Sequence, residues 1–426
     1  MKGRLNLFQA AMLRWRDLDP YNAVHVARIA APFDRERLRG VISAQLETDG
    51  LTGLVLDRQR RRYEYRGGPA ETELNVVSPG GNRTEAVRAE IERQLNLAFP
   101  SDGALVPFRF FAVADGDAFD LGLAYDHFVA GGDSIAALLC AIAARYTGAP
   151  RDGTPPALYP ATFAGLLWRN FAYAFRGIPW LSQTAISCRR GLRPRYADES
   201  DGHNGVKFVR IDGPAFATMQ SRAKAWGVTF NDLWLAALLL VLSRWMAPGA
   251  PTARRREIGV ASIVNLRDAC GYGVADAFGQ FLTSLRLSRA VPAGATLQEL
   301  AQDVHRETAR IKRGRLHLQT LSAVRFNGLV WMFLSDRRRR RLYTKTFPVL
   351  SGLTTLNINA LWTPSVGAPA RYLRAVPTGP IAPLVVAATT CGNAVELGLS
   401  YRISADIAKN VDRIAEELRQ CFDPPS

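Results

Sequence analysis

Cysteine is scarce in this chain. The five residues, at positions 140, 188, 270, 391 and 421, are odd in number and have no metal-ligand spacing. That excludes a disulfide scaffold and a cysteine-built zinc site, and it is expected of a protein kept in a reducing compartment. Long apolar runs are also lacking. The longest, residues 233–242, falls well short of the about 20 residues a helix needs to cross a bilayer. The N-terminal stretch MKGRLNLFQAAMLRWRDLD is interrupted by Arg14, Arg16 and Asp17 before an apolar core develops, so no secretory signal is expected and the expected location is cytoplasmic. Acidic residues are in deficit, 38 against 54 Lys and Arg, giving a net charge of +16. The basic runs at 58–62, 189–195, 254–256 and 337–341 carry none of the interleaved aromatics of a nucleic-acid stacking platform. Nucleic acid is therefore not the expected partner; an acidic one is.

What is present suits a folded protein. The 426 residues are 48% hydrophobic and 22% charged, enough for a large core and for two or three domains. The chain is organised around residues 121–146, LGLAYDHFVAGGDSIAALLCAIAARY. Leu121, Leu123 and Tyr125 alternate with Gly122, Ala124 and Asp126, which predicts a strand with one buried face. From Ser134 onward, Ile135, Leu138, Leu139 and Ile142 recur at helical spacing. His127 is thus presented at a strand end, beside Gly131 and Gly132, which admit close approach to the backbone. Simpler roles exist for these residues: Asp133 suits a helix N-cap, the glycines suit a turn, and a lone histidine suits an apolar core.

Around this stretch the pattern predicts a helix over 5–18, a strand over 23–31 and a helix over 34–46 capped by Asp34. Strands at 51–56 and 63–66 flank a basic hairpin tip, and the strand at 108–114 pairs with 121–128. Prolines at 150, 155, 156 and 160 mark a linker. The aromatic stretch 163–181 then reads as a bridging helix between lobes, with an interfacial helix for a membrane or lipid-like substrate as the other reading. The second half restarts with a strand at 206–211 and a helix at 213–226. An apolar buried helix over 233–245 follows, capped by Asn231 or Asp232, and a core strand leads to Arg267. A hairpin turning at Gly392-Asn393 precedes the last helix, 406–422.

Residues 126–132, DHFVAGG, resemble the HHxxxDG signature of the condensation-domain and acyl-CoA-dependent acyltransferase superfamily. The second histidine is His127 and the last glycine Gly132; Asp126 stands for the first histidine and Gly131 for the aspartate. The helix VTFNDLWLAALLLVLSRW, the strand before Arg267, the segment FGQFL at 278–282 and the strand LTTLNINAL at 353–361 resemble further family segments. The resemblance implies an α/β (α+β layered) fold of two chloramphenicol-acetyltransferase-like lobes in a V with a central tunnel. The N-terminal lobe, 1–180, would carry the histidine and end in the linker and bridging helix; the C-terminal lobe would be 181–426.

It also implies a reaction. His127 would act as general base, taking a proton from a hydroxyl or amine as it attacks an acyl thioester. Asp126, Gly131, Gly132, Asp133 and Arg267 would support the histidine loop, and Gly131 and Gly132 N–H groups would face the oxyanion. With Gly131 at the aspartate position, Arg267 needs another counter-charge, and Asp133 is the nearest. Gln280, Asn357 and Asn359 are candidates to line the channel. No bound cofactor or metal is implied: the co-substrate is an acyl-CoA or a phosphopantetheinyl carrier thioester. The partners would be that donor, on CoA or an acidic carrier protein, and a small-molecule acceptor, with peripheral membrane contact left open. Two functions are expected. One is an acyltransferase making an ester or amide in secondary or lipid metabolism. The other is a catalytically silent relative that docks a carrier protein. The remaining histidines, 25, 203, 305 and 317, read as structural or surface residues.

Overall fold

The computed structural model describes residues 2–70, 72–149, 155–158, 163–171, 178–245, 255–274, 276–362, 367 and 369–423. In chain order the first half runs β1 Lys2–Arg4, α1 Leu7–Arg16, β2 Asn22–Ile29, α2 Arg35–Thr48, β3 Leu54–Asp57, β4 Arg62–Tyr65, β5 Leu74–Val77, α3 Arg83–Asn96, β6 Gly103–Leu105, β7 Phe108–Asp115, β8 Ala118–Asp126 and α4 Gly132–Thr147. Next come β9 Ala157–Leu158, α5 Ala164–Arg169, α6 Ile178–Arg190, β10 Asn204–Ile211, α7 Gly213–Trp226, α8 Phe230–Trp245, β11 Ile258–Asn265, β12 Ala277–Phe278 and β13 Leu282–Arg289. The chain ends with α9 Leu297–Arg313, α10 Gln319–Trp331, α11 Asp336–Thr346, β14 Ser351–Asn357, β15 Tyr372–Ala375, β16 Leu384–Cys391, β17 Ala394–Arg402 and α12 Val411–Gln420. Most of the proline linker and the centre of the expected bridging helix, 172–177, lie outside the described residues.

Two sheets define two lobes. One has the order β15-β2-β8-β7-β5, the other β10-β17-β16-β14-β11-β13. Helix ends follow local chemistry. The Asn6 side chain accepts from the Phe8 and Gln9 N–H groups while Gln9 answers its backbone, and Asp34 caps α2 as expected. The cap of α8 differs from expectation. The helix begins at Phe230, the Thr229 hydroxyl accepts the Asp232 N–H, and the Asp232 carboxylate takes the Thr229 N–H and hydroxyl. Asp232 sits three residues after the cap, which is why neither it nor Asn231 is the cap itself.

The strand before His127 is buried on both faces, not one. It is central in its sheet. Leu121, Leu123 and Tyr125 enter the large core shared with α1 and α4, while Ala124 meets Val87, Ile91 and Leu95 of α3 on the other side. Small residues on that second face make room for the facing layer: a Cβ at Gly122 would lie 2.1 Å from the Phe111 ring. The alternation of large and small therefore reflects two buried faces of unequal depth rather than a wet side.

One strand crosses between the halves of the sequence. β15, from the C-terminal half, pairs antiparallel with β2 in the first sheet, setting Arg374 opposite His25. A Cβ at Gly398 of β17 would stand 2.0 Å from the Arg374 carbonyl oxygen, so that glycine lets the two sheets touch. Gly398→Ala is expected to push β15 away and cost about 1–3 kcal/mol as an overpacked contact, read as a lower urea midpoint.

Candidate active site

The loop from β8 to α4 holds His127 by its backbone. Its N–H donates to the Tyr21 carbonyl at 3.1 Å, and the Gly131 N–H donates to the Gly279 carbonyl at 2.9 Å. Gln280, expected to line the channel, is instead buried behind the loop and clamps it. Its Nε2 donates to the His127 carbonyl and, at 2.7 Å, to the Ala130 carbonyl. An amide nitrogen has two protons, and both are committed. The Gln280 nitrogen 3.4 Å from His127 Nδ1 therefore has no proton to give it. The imidazole also meets the Ala130 backbone, a contact that raises the affinity of the ring for protons. The ring lines the cavity. Burial dominates the titration and pushes the imidazole down to about 4, so it is neutral at pH 7. Tyr21 stacks on the ring and Tyr125 meets it edge-on, with centroids 5.7 and 5.6 Å away.

Asp133 is not the helix cap. Gly131 occupies that position, and Asp133 lies in the first turn with Oδ2 2.8 Å from Nε of Arg267. Asn265 donates to the same oxygen at 2.9 Å. Arg267, 1% exposed, also reaches the Ser134 hydroxyl and the Ala277 carbonyl and lies over the Phe281 ring. The arginine and the first turn of α4 are thus tied together with Asp133 as the counter-charge, two residues beyond the glycine that takes the family's aspartate position. Neither loop glycine has a positive φ. A Cβ at Gly131 would lie 2.8 Å from Asp133 Oδ1, and one at Gly132 would lie 3.0 Å from Nη1 of Arg374. They serve close approach, not the turn. The Gly131 N–H is already bonded to Gly279, while Gly132, at the start of α4, lines the cavity.

Asp126 faces away from His127, as the strand alternation requires, and forms a buried ion pair with Arg16. Burial raises its carboxyl to about 6. Asn357 and Asn359 do not face the channel. Both are exposed, Asn357 accepts the Asn359 N–H, and Asn359 exchanges two hydrogen bonds with the Gly392 backbone. β14 ends at Asn357, so the expected strand stops short, and Thr354 and Thr355 line the cavity in their place.

That cavity, ≈ 280 Å³, lies between the lobes. Its wall takes Met12 and Tyr21 from the first half and Leu282, Val324 and Leu353 from the second, with His127 in it. Two further residues line it: His25, from the middle of β2, which was expected to be structural or on the surface, and Arg374, from β15, which the sequence reading did not single out. The signal for His25 was its phase, since Val24 and Val26 fill one face and leave it on the other, with Ala23 and Ala27. Arg374 gave a weaker signal, one charge in the apolar run YLRAV. His203 is exposed, as expected of a loop. His305 bonds Asp232, and His317 is half-buried near Arg315 and Lys312. From the aromatic stretch 163–181, Phe163 and Leu166 are buried while Trp168 and Phe171 are largely exposed. Among the described residues no single helix is long and apolar enough to cross a membrane.

Three buried or half-buried histidines make stability pH-dependent. Burial holds His25 well below 6.5 and takes His127 and His317 to about 4. The unfolded chain then binds more protons than the folded one below pH 6.5, and the stability present above that pH drains away toward about 4. Asp126, raised to about 6, acts in the opposite sense and restores some stability as the pH falls through that value. Asp19, also raised by burial, acts with Asp126, but the three histidines are expected to prevail, so the thermal midpoint is expected to drop between pH 7 and pH 4.5, and to drop less in His127→Gln. Scanning calorimetry at fixed ionic strength measures both.

No protein-family model matches the sequence, and no curated protein matches it. Solved structures do, at full length. The fold is that of the condensation domains. The similar structures include SgcC5 from Streptomyces globisporus, with a TM-score of 0.68 at 16% identity over 100% of both chains. The first condensation domain of the CDA synthetase gives 0.65 at 15% identity, over 100% of this chain and 97% of that one. The X-domain from teicoplanin biosynthesis, solved in complex with OxyB, gives 0.59 at 15% identity, over 99% and 92%.

Proposed function

We propose that this chain is an acyltransferase that forms an ester or amide, dividing into an N-terminal lobe, 1–180, and a C-terminal lobe, 181–426. The observation that carries the reading is His127: a neutral imidazole in an inter-lobe cavity with Nδ1 against the Gln280 amide, so that Nε2 is the nitrogen we assign as the base. In the reaction Nε2 takes the proton of a hydroxyl or amine as that group attacks the thioester carbonyl carbon. The new C–O or C–N bond forms, the C–S bond breaks, and the thiolate leaves with the proton returned by the imidazolium. The donor is an acyl-CoA or an acyl carrier protein, and the product belongs to secondary or lipid metabolism. The test is thiol release from a panel of both thioester types with hydroxyl and amine acceptors.

A second reading is a binding module for a carrier protein. It is favoured by the likeness to the X-domain that was solved with OxyB as its partner. Either reading needs a docking surface, and the run 337–341 is only partly available for one. Arg339, Arg340 and Arg341 are paired with Asp336, Asp19 and Glu199, while Arg337 and Arg338 are exposed without an ion pair among the described residues. Changing both to glutamate is expected to weaken donor binding by about tenfold at low salt and less at high salt. Unchanged affinity by surface plasmon resonance would remove this patch as the docking surface.

A further inference from the structure

The same cavity wall holds a buried positive charge that the acyl-transfer step does not use. Arg374 is 4% exposed, and none of its hydrogen-bond partners is a carboxylate. Nε donates to the Thr389 hydroxyl at 3.2 Å, and Nη2 to the Thr354 carbonyl at 2.8 Å and the Ala388 carbonyl at 3.4 Å. Nη1 has a single long contact, 3.4 Å to the Thr354 hydroxyl, so one of its two N–H groups is left over. Asp133 is near enough to be felt but is bonded to Arg267 and Asn265. A buried guanidinium without a counter-charge costs several kcal/mol, on the order of what one ion loses on leaving water.

The leftover N–H is not isolated. Nη1 of Arg374 and the His25 ring converge on Gly132, where a Cβ would lie 3.0 Å from the first and 3.5 Å from Nε2 of the second. His25 is fully buried, and its Nε2 has no partner among the described residues. Its Nδ1 is 2.8 Å from the Tyr372 hydroxyl, which has no other partner among the described residues. With Nδ1 as the only acceptor in reach of the phenol among the described residues, we assign the O–H to Nδ1 and the imidazole proton to Nε2. Gly132, at the start of α4, lines the same wall, as does Tyr125, whose buried hydroxyl has no partner among the described residues. All of these atoms are donors or can donate, around one fixed positive charge.

We propose that Arg374, His25 and the α4 N-terminus at Gly132 form an anion subsite that binds the carboxylate of a small acceptor substrate. One uncompensated cation matches one monoanion; a phosphate dianion would bring a second charge into an apolar cavity with nothing to neutralise it. His25 and His127 both pack edge-on with Tyr125 and line the same cavity as Arg374, so an acceptor anchored at Arg374 lies within one cavity with the base. Only the word acceptor rests on the acyl-transfer reading. Anion binding does not.

The probes are hexanoate and its neutral isostere hexanamide, titrated into the full chain at pH 7 by saturation-transfer NMR. Hexanoate is expected to bind about tenfold tighter, the value of one charged hydrogen bond. Arg374→Gln is expected to remove that preference. Should this variant fail to fold by circular dichroism, His25→Phe takes its place and is expected to reduce the preference severalfold. Equal affinity for the two probes, no binding of either, or a preference that survives in the folded variant would each overturn the subsite. A preference for hexanoate with no thiol release from any donor would keep the subsite and discard acyl transfer; thiol release without the preference would do the reverse.

Discussion

His127→Ala is expected to lower acceptor-dependent thiol release by about 10²- to 10⁴-fold, the range a positioned general base supplies. The fold should survive, because the loop is held by main-chain bonds, from His127 N–H to Tyr21 and from Gln280 to the His127 carbonyl, that alanine keeps. The pH profile of the wild type gives a second readout. A histidine at its ordinary value of 6.5 would lose half its activity there; one held to about 4 by burial stays unprotonated, so release should remain level well below pH 6. A rate that falls with a midpoint near 6.5, or one untouched by the alanine substitution, would take the base role from His127. Stopped-assay measurements of free thiol from pH 5 to 8 would show which.

The second large effect is structural. Asp133→Ala leaves the guanidinium of Arg267 buried without its carboxylate, and should cost about 3–5 kcal/mol of unfolding free energy. Arg267→Ala should cost a comparable amount by stranding Asp133. The double substitution is the informative one: with both charges gone, the loss should be clearly smaller than the two single losses combined. Chemical denaturation of the four proteins closes the cycle. Additive losses would mean that the 2.8 Å contact contributes little beyond packing. The variants should also slow thiol release, because Arg267 ties the first turn of α4 to Ala277 and so sets where Gly132 stands against the cavity.

Local patterns carried much of the fold. The period of β8, the helical spacing after Ser134 and the turn residues at Gly392 each act within a few neighbours, and the observed elements lie within a few positions of those expected. A charge argument reached further: a buried arginine needs a counter-charge, which pointed from Arg267 to Asp133 across 134 positions. Where no such constraint existed, residue type misled. Gln280, Asn357 and Asn359 were expected to face the channel because similar segments do in the resembling family. The amide nitrogen of Gln280 is consumed by two loop carbonyls, and the polar atoms of Asn359 by a turn at Gly392. His25 and Arg374 are 349 positions apart and meet because β15 pairs with β2, a register that nothing near either residue encodes. The half-legible site follows from that: the base sits in one local strand-turn-helix unit, while the rest of the cavity wall is assembled from afar.

The return of β15 also sets a schedule for synthesis. Until residues 372–375 leave the ribosome, β2 is an edge strand whose outer N–H and C=O groups are unpaired, in a sheet that is otherwise complete by residue 126. Such an edge invites pairing with another chain. A fragment ending near residue 180 would carry that edge permanently and should self-associate rather than behave as an independent lobe. The closing strand brings Arg374 with it, so the chain acquires its buried cation at the step that seals the sheet.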